Sequence, residues 1–222
     1  MAEANVPRSE EAASINWVAL AAIVLGTFVS VLNNSLLNVA LPNLVNVFGS
    51  TTQTIQWVLT GYMLASAVVV PMSGYMADRF GAKRVFVITL IGFTLGSFLC
   101  GLAWSDTSLI LLRILQGLFG GFIGPICMTV VYAIVPRQKI GMALGLWGVA
   151  MMAAPAIGPT LSGYLIQHFN WRLLFFISVP VGIFAVLVCA LALKELPKKP
   201  TCSSTCPAAC CPSFASGRSF WP

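Results

Sequence analysis

The chain has 222 residues, of which 58% are hydrophobic and only 8% charged, and its mean hydropathy is +0.91. Soluble domains carry about 25% charged residues, so this composition excludes a water-facing globule. The net charge of +6 sits on a chain without interleaved basic and aromatic patches, which argues against a nucleic-acid partner and assigns the bases to membrane surfaces.

Residues 1–16 carry Glu3, Glu10 and Glu11 against Arg8. A cleaved signal peptide has a positive start and a shorter apolar core. The first apolar block is therefore expected to stay in the mature protein, behind a cytoplasmic N-terminal tail. No ionisable residue occurs from Trp17 to Asn38, or from Val39 to Ala77. Pro42, Asn43, Asn46, Gly49, Ser50 and Gln53 predict a polar loop that divides the second stretch. Later apolar blocks cover Val85–Ala103, Leu109–Val135, Ile140–Ile166 and Leu173–Leu193. A spanning helix needs about 20 such residues. The runs are continuously apolar and not alternating, so helices and not a barrel are expected. The predicted class is an all-α membrane protein with six transmembrane helices over residues 17–195.

Lys and Arg set orientation. With the N-terminus inside, the cytoplasmic segments hold Arg8, Arg79, Lys83, Arg84, Arg137, Lys139, Lys194, Lys198 and Lys199, and the outer loops hold only Arg172. Both termini are therefore expected in the cytoplasm.

Shifting the chain by 89 positions lays Ser73-Gly74-Tyr75 on Ser162-Gly163-Tyr164, Phe80 on Phe169, Lys83 on Arg172, Phe86 on Phe175 and Ile88 on Ile177. The two stretches run in opposite directions through the membrane. They predict two three-helix repeats of inverted topology, a construction found in secondary transporters. Gly92/Gly96, Gly117/Gly121, Gly120/Gly124 and Gly141/Gly145 have the four-residue spacing that lets helix backbones approach closely in lipid.

Arg113 is the one ionisable residue well inside a predicted span. A central Arg is expensive there and faces the bundle interior or a wet cavity, although its position near the outer end also allows snorkelling. His168, the only histidine, falls in an outer loop. No His-Glu-x-x-His motif, intramembrane serine-protease motif or phosphate-cradling loop occurs. Neither an enzyme nor a cofactor or metal site is expected.

Gly74-Tyr75-Met76-Ala77-Asp78-Arg79-Phe80-Gly81-Ala82-Lys83-Arg84 resembles the signature loop of the major facilitator superfamily: Gly, three residues, Asp-Arg-x-Gly, then paired bases. Leu112-Arg113-Ile114-Leu115-Gln116-Gly117 resembles its fourth-helix motif, whose Arg is implicated in proton coupling. Ala154-Pro155-Ala156-Ile157-Gly158-Pro159 with Gly163 resembles the fifth-helix motif of antiporters. Asn38-Val39-Ala40-Leu41-Pro42 and Trp171-Arg172 through Val179-Pro180-Val181-Gly182 resemble the fourteen-helix drug:proton antiporter branch. The resemblance covers about residues 17–199. It implies half of a two-part fold, with substrate between the halves. It also implies a cytoplasmic latch of Gly74, Asp78, Arg79, Gly81, Lys83 and Arg84, an antiporter element of Pro155, Gly158, Pro159 and Gly163, and coupling at Arg113, Asn33 and Gln116. The branch commonly carries an acidic residue in its first helix. Here that stretch reads Leu32-Asn33-Asn34-Ser35, and Asn33 cannot take up and release a proton.

After Pro200 the composition changes to a Cys/Pro-rich tail over 196–222, with Cys202, Cys206, Cys210 and Cys211 in ten residues. This spacing is not a zinc pattern, and a cytoplasmic setting disfavours disulfides. The tail reads as an out-of-frame or truncated end. The expected function is proton-coupled export of small organic compounds or drugs across the cell membrane, the inner one in a bacterium, by a half that is inactive alone. The other reading is a non-transporting interaction protein that self-associates. Expected partners are the lipid bilayer, a small-molecule substrate, the proton, and a second half or a homodimer. In either case Asn33, Asn34, Asn38, Gln56, Arg113 and Gln116 are expected to face the cavity between halves.

Overall fold

A computed structural model of the protein describes residues 17–192. The two tails, with the Cys-rich segment, lie outside the described residues. Eight α-helices follow in chain order: α1 (Trp17–Phe48), α2 (Thr52–Val69), α3 (Met72–Phe80), α4 (Ala82–Gly101), α5 (Asp106–Ile134), α6 (Ile140–His168), α7 (Leu173–Phe176) and α8 (Ser178–Ala192). A turn of 3₁₀-helix, Arg137–Lys139, leads into α6. Five stretches are long and apolar enough to cross a membrane. The sixth is the pair α2 and α3, bent by 57°. The bend sits at Pro71, which cannot donate a backbone hydrogen bond and crowds the preceding turn.

Where the loop between the first two spans was expected from Pro42 onward, α1 instead runs through Pro42, Asn43 and Asn46 to Phe48. An internal proline removes one hydrogen bond of a long ladder, and in an apolar solvent the remaining bonds are held strongly. The chain turns only at Gly49, whose φ of +61° is open to glycine at little cost. Thr51 then caps α2 by accepting from the Thr54 amide at 3.2 Å. The Ser50 hydroxyl donates to Asp106 Oδ2 at 2.6 Å, so α5 starts at the end of the bundle where α1 finishes.

That antiparallel start extends the offset seen in the sequence. α5 begins 89 positions after α1, α6 begins 88 after α2, and α7 begins 91 after α4. The principal packing pairs obey the same exchange. α1 lies on α6 as α5 lies on α2, and α4 lies on α5 as α8 lies on α1. Two inverted three-helix repeats therefore build the bundle.

Small residues set the closest seams. A methyl at Gly117 would stand 2.6 Å from the Tyr62 carbonyl oxygen, and one at Gly121 2.6 Å from that of Ser66, both on α2. Ser66 Oγ bridges the same seam, donating to the Gly117 carbonyl at 3.1 Å. On α6, Gly158 lies against Ser35 of α1, and Ser162 Oγ donates to the Leu36 carbonyl at 2.7 Å. Gly141, Gly145, Gly124 and Gly163 have open space where a side chain would go, so the expected packing role of the Gly141/Gly145 pair is not realised. α6 buries only its Ala154, Gly158, Ser162, Leu165 face and Ala143, and the spacing leaves the rest of its apolar surface outward.

Candidate transport site

The apolar core is in two parts. One cluster, with Val29, Tyr62, Phe93 and Ile123, extends towards the Gly81 end. The other, with Leu36, Cys100, Leu109 and Phe175, extends towards the Asp106 end. Between them each contributing helix carries a buried polar residue: Asn33 on α1, Ser97 on α4, Arg113 and Gln116 on α5, and Ser178 on α8. The result is a buried polar layer in the half of the bundle nearer the Asp106 end.

Arg113 anchors it. Its side chain is fully buried, at 0% exposure, so it does not snorkel to the surface. Nη2 donates to Asn33 Oδ1 at 2.8 Å, and Asn33 Nδ2 donates to Ser178 Oγ at 3.1 Å. The guanidinium carbon lies 4.8 Å from the centroid of the Phe175 ring and 5.6 Å from that of Tyr62. Such rings attract a desolvated cation. Nε and Nη1 are buried without a hydrogen-bond partner. Tyr62 and Ser178 went unnoticed in the sequence, and Phe175 figures there only as the repeat partner of Phe86. A serine opening the most apolar block was the one available signal.

Gln116, expected beside Arg113 at the cavity, instead enters the α4 seam. Its amide nitrogen donates to Ser97 Oγ at 2.6 Å and to the Phe93 carbonyl at 3.4 Å, and Cys100 Sγ lies 3.8 Å from its oxygen. Three residues along a helix is a rotation of about 60° short of a full turn, enough to direct Gln116 onto α4 while Arg113 reaches α1. Asn33 is also inside the bundle and not on an open face. Asn38 and Gln56 are exposed. They line a cleft of about 440 Å³ between α1 and α2 with Pro42, Asn46, Thr52 and Ile55. Asn34 folds back onto the Ser30 carbonyl.

The predicted latch residues gather at the Gly81 end. Gly81, with φ +91°, joins α3 to α4, a backbone conformation that side chains rarely adopt. Asp78 and Gly74 are exposed and Lys83 half-buried. Arg79 Nη1 donates to the Tyr75 hydroxyl and lies over the Tyr75 and Phe80 rings. Arg84, Arg137 and Lys139 share this end, while Arg172 at the other end donates to the Ala103 carbonyl at 3.2 Å. Of the predicted antiporter element, Gly158 meets α1, and Pro155 and Pro159 are exposed within an unbroken α6.

Six spans built from an inverted repeat, with a cation in a buried polar layer, define a multi-pass membrane protein. The pattern of the Major Facilitator Superfamily matches residues 23–208, and the chain belongs to that superfamily. It is 40% identical over 177 residues to the uncharacterised transporter YhcA of Bacillus subtilis, covering 80% of this chain and 33% of that protein. It is 36% identical over 167 residues to the multidrug export protein EmrB of Haemophilus influenzae, covering 75% and 33%. Among solved structures, the proton:xylose symporter XylE superposes with a TM-score of 0.72 at 12% identity, covering 82% of this chain and 45% of that one. The chain thus spans about a third of the length of these curated relatives, and the symporter's likeness is one of fold.

Proposed function

We propose that the chain is a six-helix half of a proton-coupled exporter of small organic compounds, with its transport path on the face that meets a second half. The observation that carries the reading is Arg113, a cation buried in the polar layer and bonded to Asn33. Burying a charge in lipid is costly, and such residues mark ion or substrate pathways. Export is supported by the identity with a multidrug export protein. Arg113 and Asn33 serve coupling in this proposal. Gln116 positions α5 against α4. Gly74, Asp78, Arg79, Gly81, Lys83 and Arg84 form the cytoplasmic latch. Gly158 seats α6 on α1, and Pro155, Pro159 and Gly163 serve the antiporter element from outside that contact. Five of the described bases outside the polar layer, all but Arg172, lie at the Gly81 end. That bias supports a cytoplasmic location, in a bacterial cell, for this end and for both termini.

The half requires a partner, because the exposed amides of Asn38 and Gln56 and the open face of α6 have no cover within the bundle. The test is proton flux, read with a pH-sensitive dye in proteoliposomes. The chain is reconstituted alone and with the remaining portion of the Bacillus subtilis relative, and challenged with amphipathic compounds of each charge. The reading expects compound-evoked flux only with the partner portion present, abolished by Arg113→Ala. Flux from the chain alone, or flux indifferent to Arg113, overturns it.

A further inference from the structure

The polar layer holds a positive charge that nothing inside the bundle balances. The only acids among the described residues are Asp78 and Asp106. Asp78 is exposed beside Gly81, and Asp106 opens α5 at the other end, bonded to Ser50 and to the Thr107 amide. The residue that does meet Arg113 is Asn33, a neutral amide, and its own nitrogen is spent on Ser178. The guanidinium keeps Nε and Nη1 without partners although it is fully buried. The faces of Phe175 and Tyr62 flank it. A buried charge in this condition is stabilised most by an anion that brings its own oxygens, and a carboxylate matches the planar guanidinium fork with two parallel bonds.

An open cleft borders the helix that carries Asn33. The cleft between α1 and α2 reaches Asn38, five residues from Asn33, or about 7.5 Å along the axis. Its lining mixes the amides of Asn38, Asn46 and Gln56 with Leu41, Val45 and Ile55. Such a wall suits an amphipathic molecule and carries no charge of either sign.

We infer that Arg113 is a substrate-binding residue for the carboxylate of amphipathic organic acids, and that Asn33, by being neutral, leaves the guanidinium free to take it. The assignment rests on the transporter reading above but concerns binding alone. A carboxylate at position 33 would occupy the fork from within and remove the preference, so Asn33 sets the sign of the substrate. A lipophilic cation finds no counter-charge in this layer.

The test is isothermal titration of the full chain in detergent with 1-naphthoate and with its matched cation, 1-naphthylmethylammonium, each corrected for micelle partitioning. Naphthoate is expected to bind at least about tenfold more tightly than the cation. Asn33→Asp is expected to lose naphthoate affinity by about tenfold or more while eluting as the same folded species. Equal binding of the two probes overturns the inference. So does unchanged naphthoate affinity in Asn33→Asp, or saturation of the site by sodium chloride alone, which would make it a site for inorganic anions. Asn33-dependent naphthoate binding without any proton flux would sink the exporter reading and leave this one standing. Flux of cations and anions alike would do the reverse.

Discussion

Gly117→Ala adds one methyl to a seam closed by backbone atoms, and its cost follows from what that methyl meets. The new carbon would stand 2.6 Å from the Tyr62 carbonyl oxygen, 3.1 Å from the Tyr62 Cα and 3.0 Å from the Ala65 Cβ. Two of these three atoms are backbone, so no rotamer change clears the space and α2 must move away from α5. Separation also stretches the bond from Ser66 Oγ to the Gly117 carbonyl and loosens Gly121, which approaches α2 equally closely. Overpacking of this kind costs about 1–3 kcal/mol. Alanine regains up to about 1 kcal/mol of helix propensity over glycine, which alone could mask the effect. Gly145→Ala supplies the reference, because Gly145 lies inside α6 with nothing within 4 Å of its would-be side chain. The propensity gain is common to both variants and cancels in the comparison. Unfolding of the purified chain by SDS in mixed micelles should therefore place Gly117→Ala about 1–3 kcal/mol below Gly145→Ala, roughly a 5- to 150-fold difference in folding equilibrium. Equal stability of the two variants would refute the close α2/α5 packing.

Gly81→Ala should destabilise the chain by about 1–3 kcal/mol through backbone strain at φ +91°, whereas Gly74→Ala, in open space within α3, should not. The same SDS titration compares them, and equal stabilities would contradict the turn. Asn33→Leu removes the one acceptor of the Arg113 guanidinium and should cost about 1–3 kcal/mol, the usual penalty for orphaning a buried donor. Topology is checked by maleimide labelling in intact cells, with Trp104, 81% exposed, or Lys83 replaced by cysteine. Cys202, Cys206, Cys210 and Cys211 are first replaced by serine, and the native Cys100, Cys127 and Cys189 are buried and should remain silent. Labelling at 104 from outside, and at 83 only after permeabilisation, is expected; the reverse pattern would invert the bundle.

The number of spans and their order were legible because lipid imposes one requirement on every backbone group, and long uncharged runs satisfy it only as helices. The break at Gly49 was harder to place. Pro42, Asn43 and Asn46 carry the composition of a loop, but in a spanning segment the ladder outweighs local preference, and α1 continues through them. The Arg113 position could be read as functional from its cost alone. Its partners could not, since Ser178 and Phe175 are brought to it by the packing of the last two helices on α1 and α4. Gln116 misled for a related reason. Residues three apart share a helix face in outline, yet on α5 that face straddles the boundary between α1 and α4, and the two long side chains part there.

The repeat and the site obey different rules. The offset of 89 pairs buried Ser73 with Ser162 and buried Phe86 with Phe175, positions that hold helices together in both units. The same offset sets Val24 opposite Arg113 and Phe122 opposite Asn33. Both of these are apolar and pack against the core cluster at the Gly81 end. The scaffold is thus duplicated and the charge is not, which makes the polar pair an addition to a bundle able to pack without it. Replacing Asn33 alone strands a buried cation, but replacing Arg113 by Met and Asn33 by Leu together leaves no desolvated charge and strands only the Ser178 hydroxyl. Apolar replacement of a whole buried charged cluster is commonly neutral or stabilising by about 1–4 kcal/mol. The double variant should therefore equal or exceed the parent chain in SDS titration while Asn33→Leu falls below it, and it should bind no naphthoate. A double variant less stable than Asn33→Leu would show that the polar layer, and not the repeated apolar seams, holds the two units together.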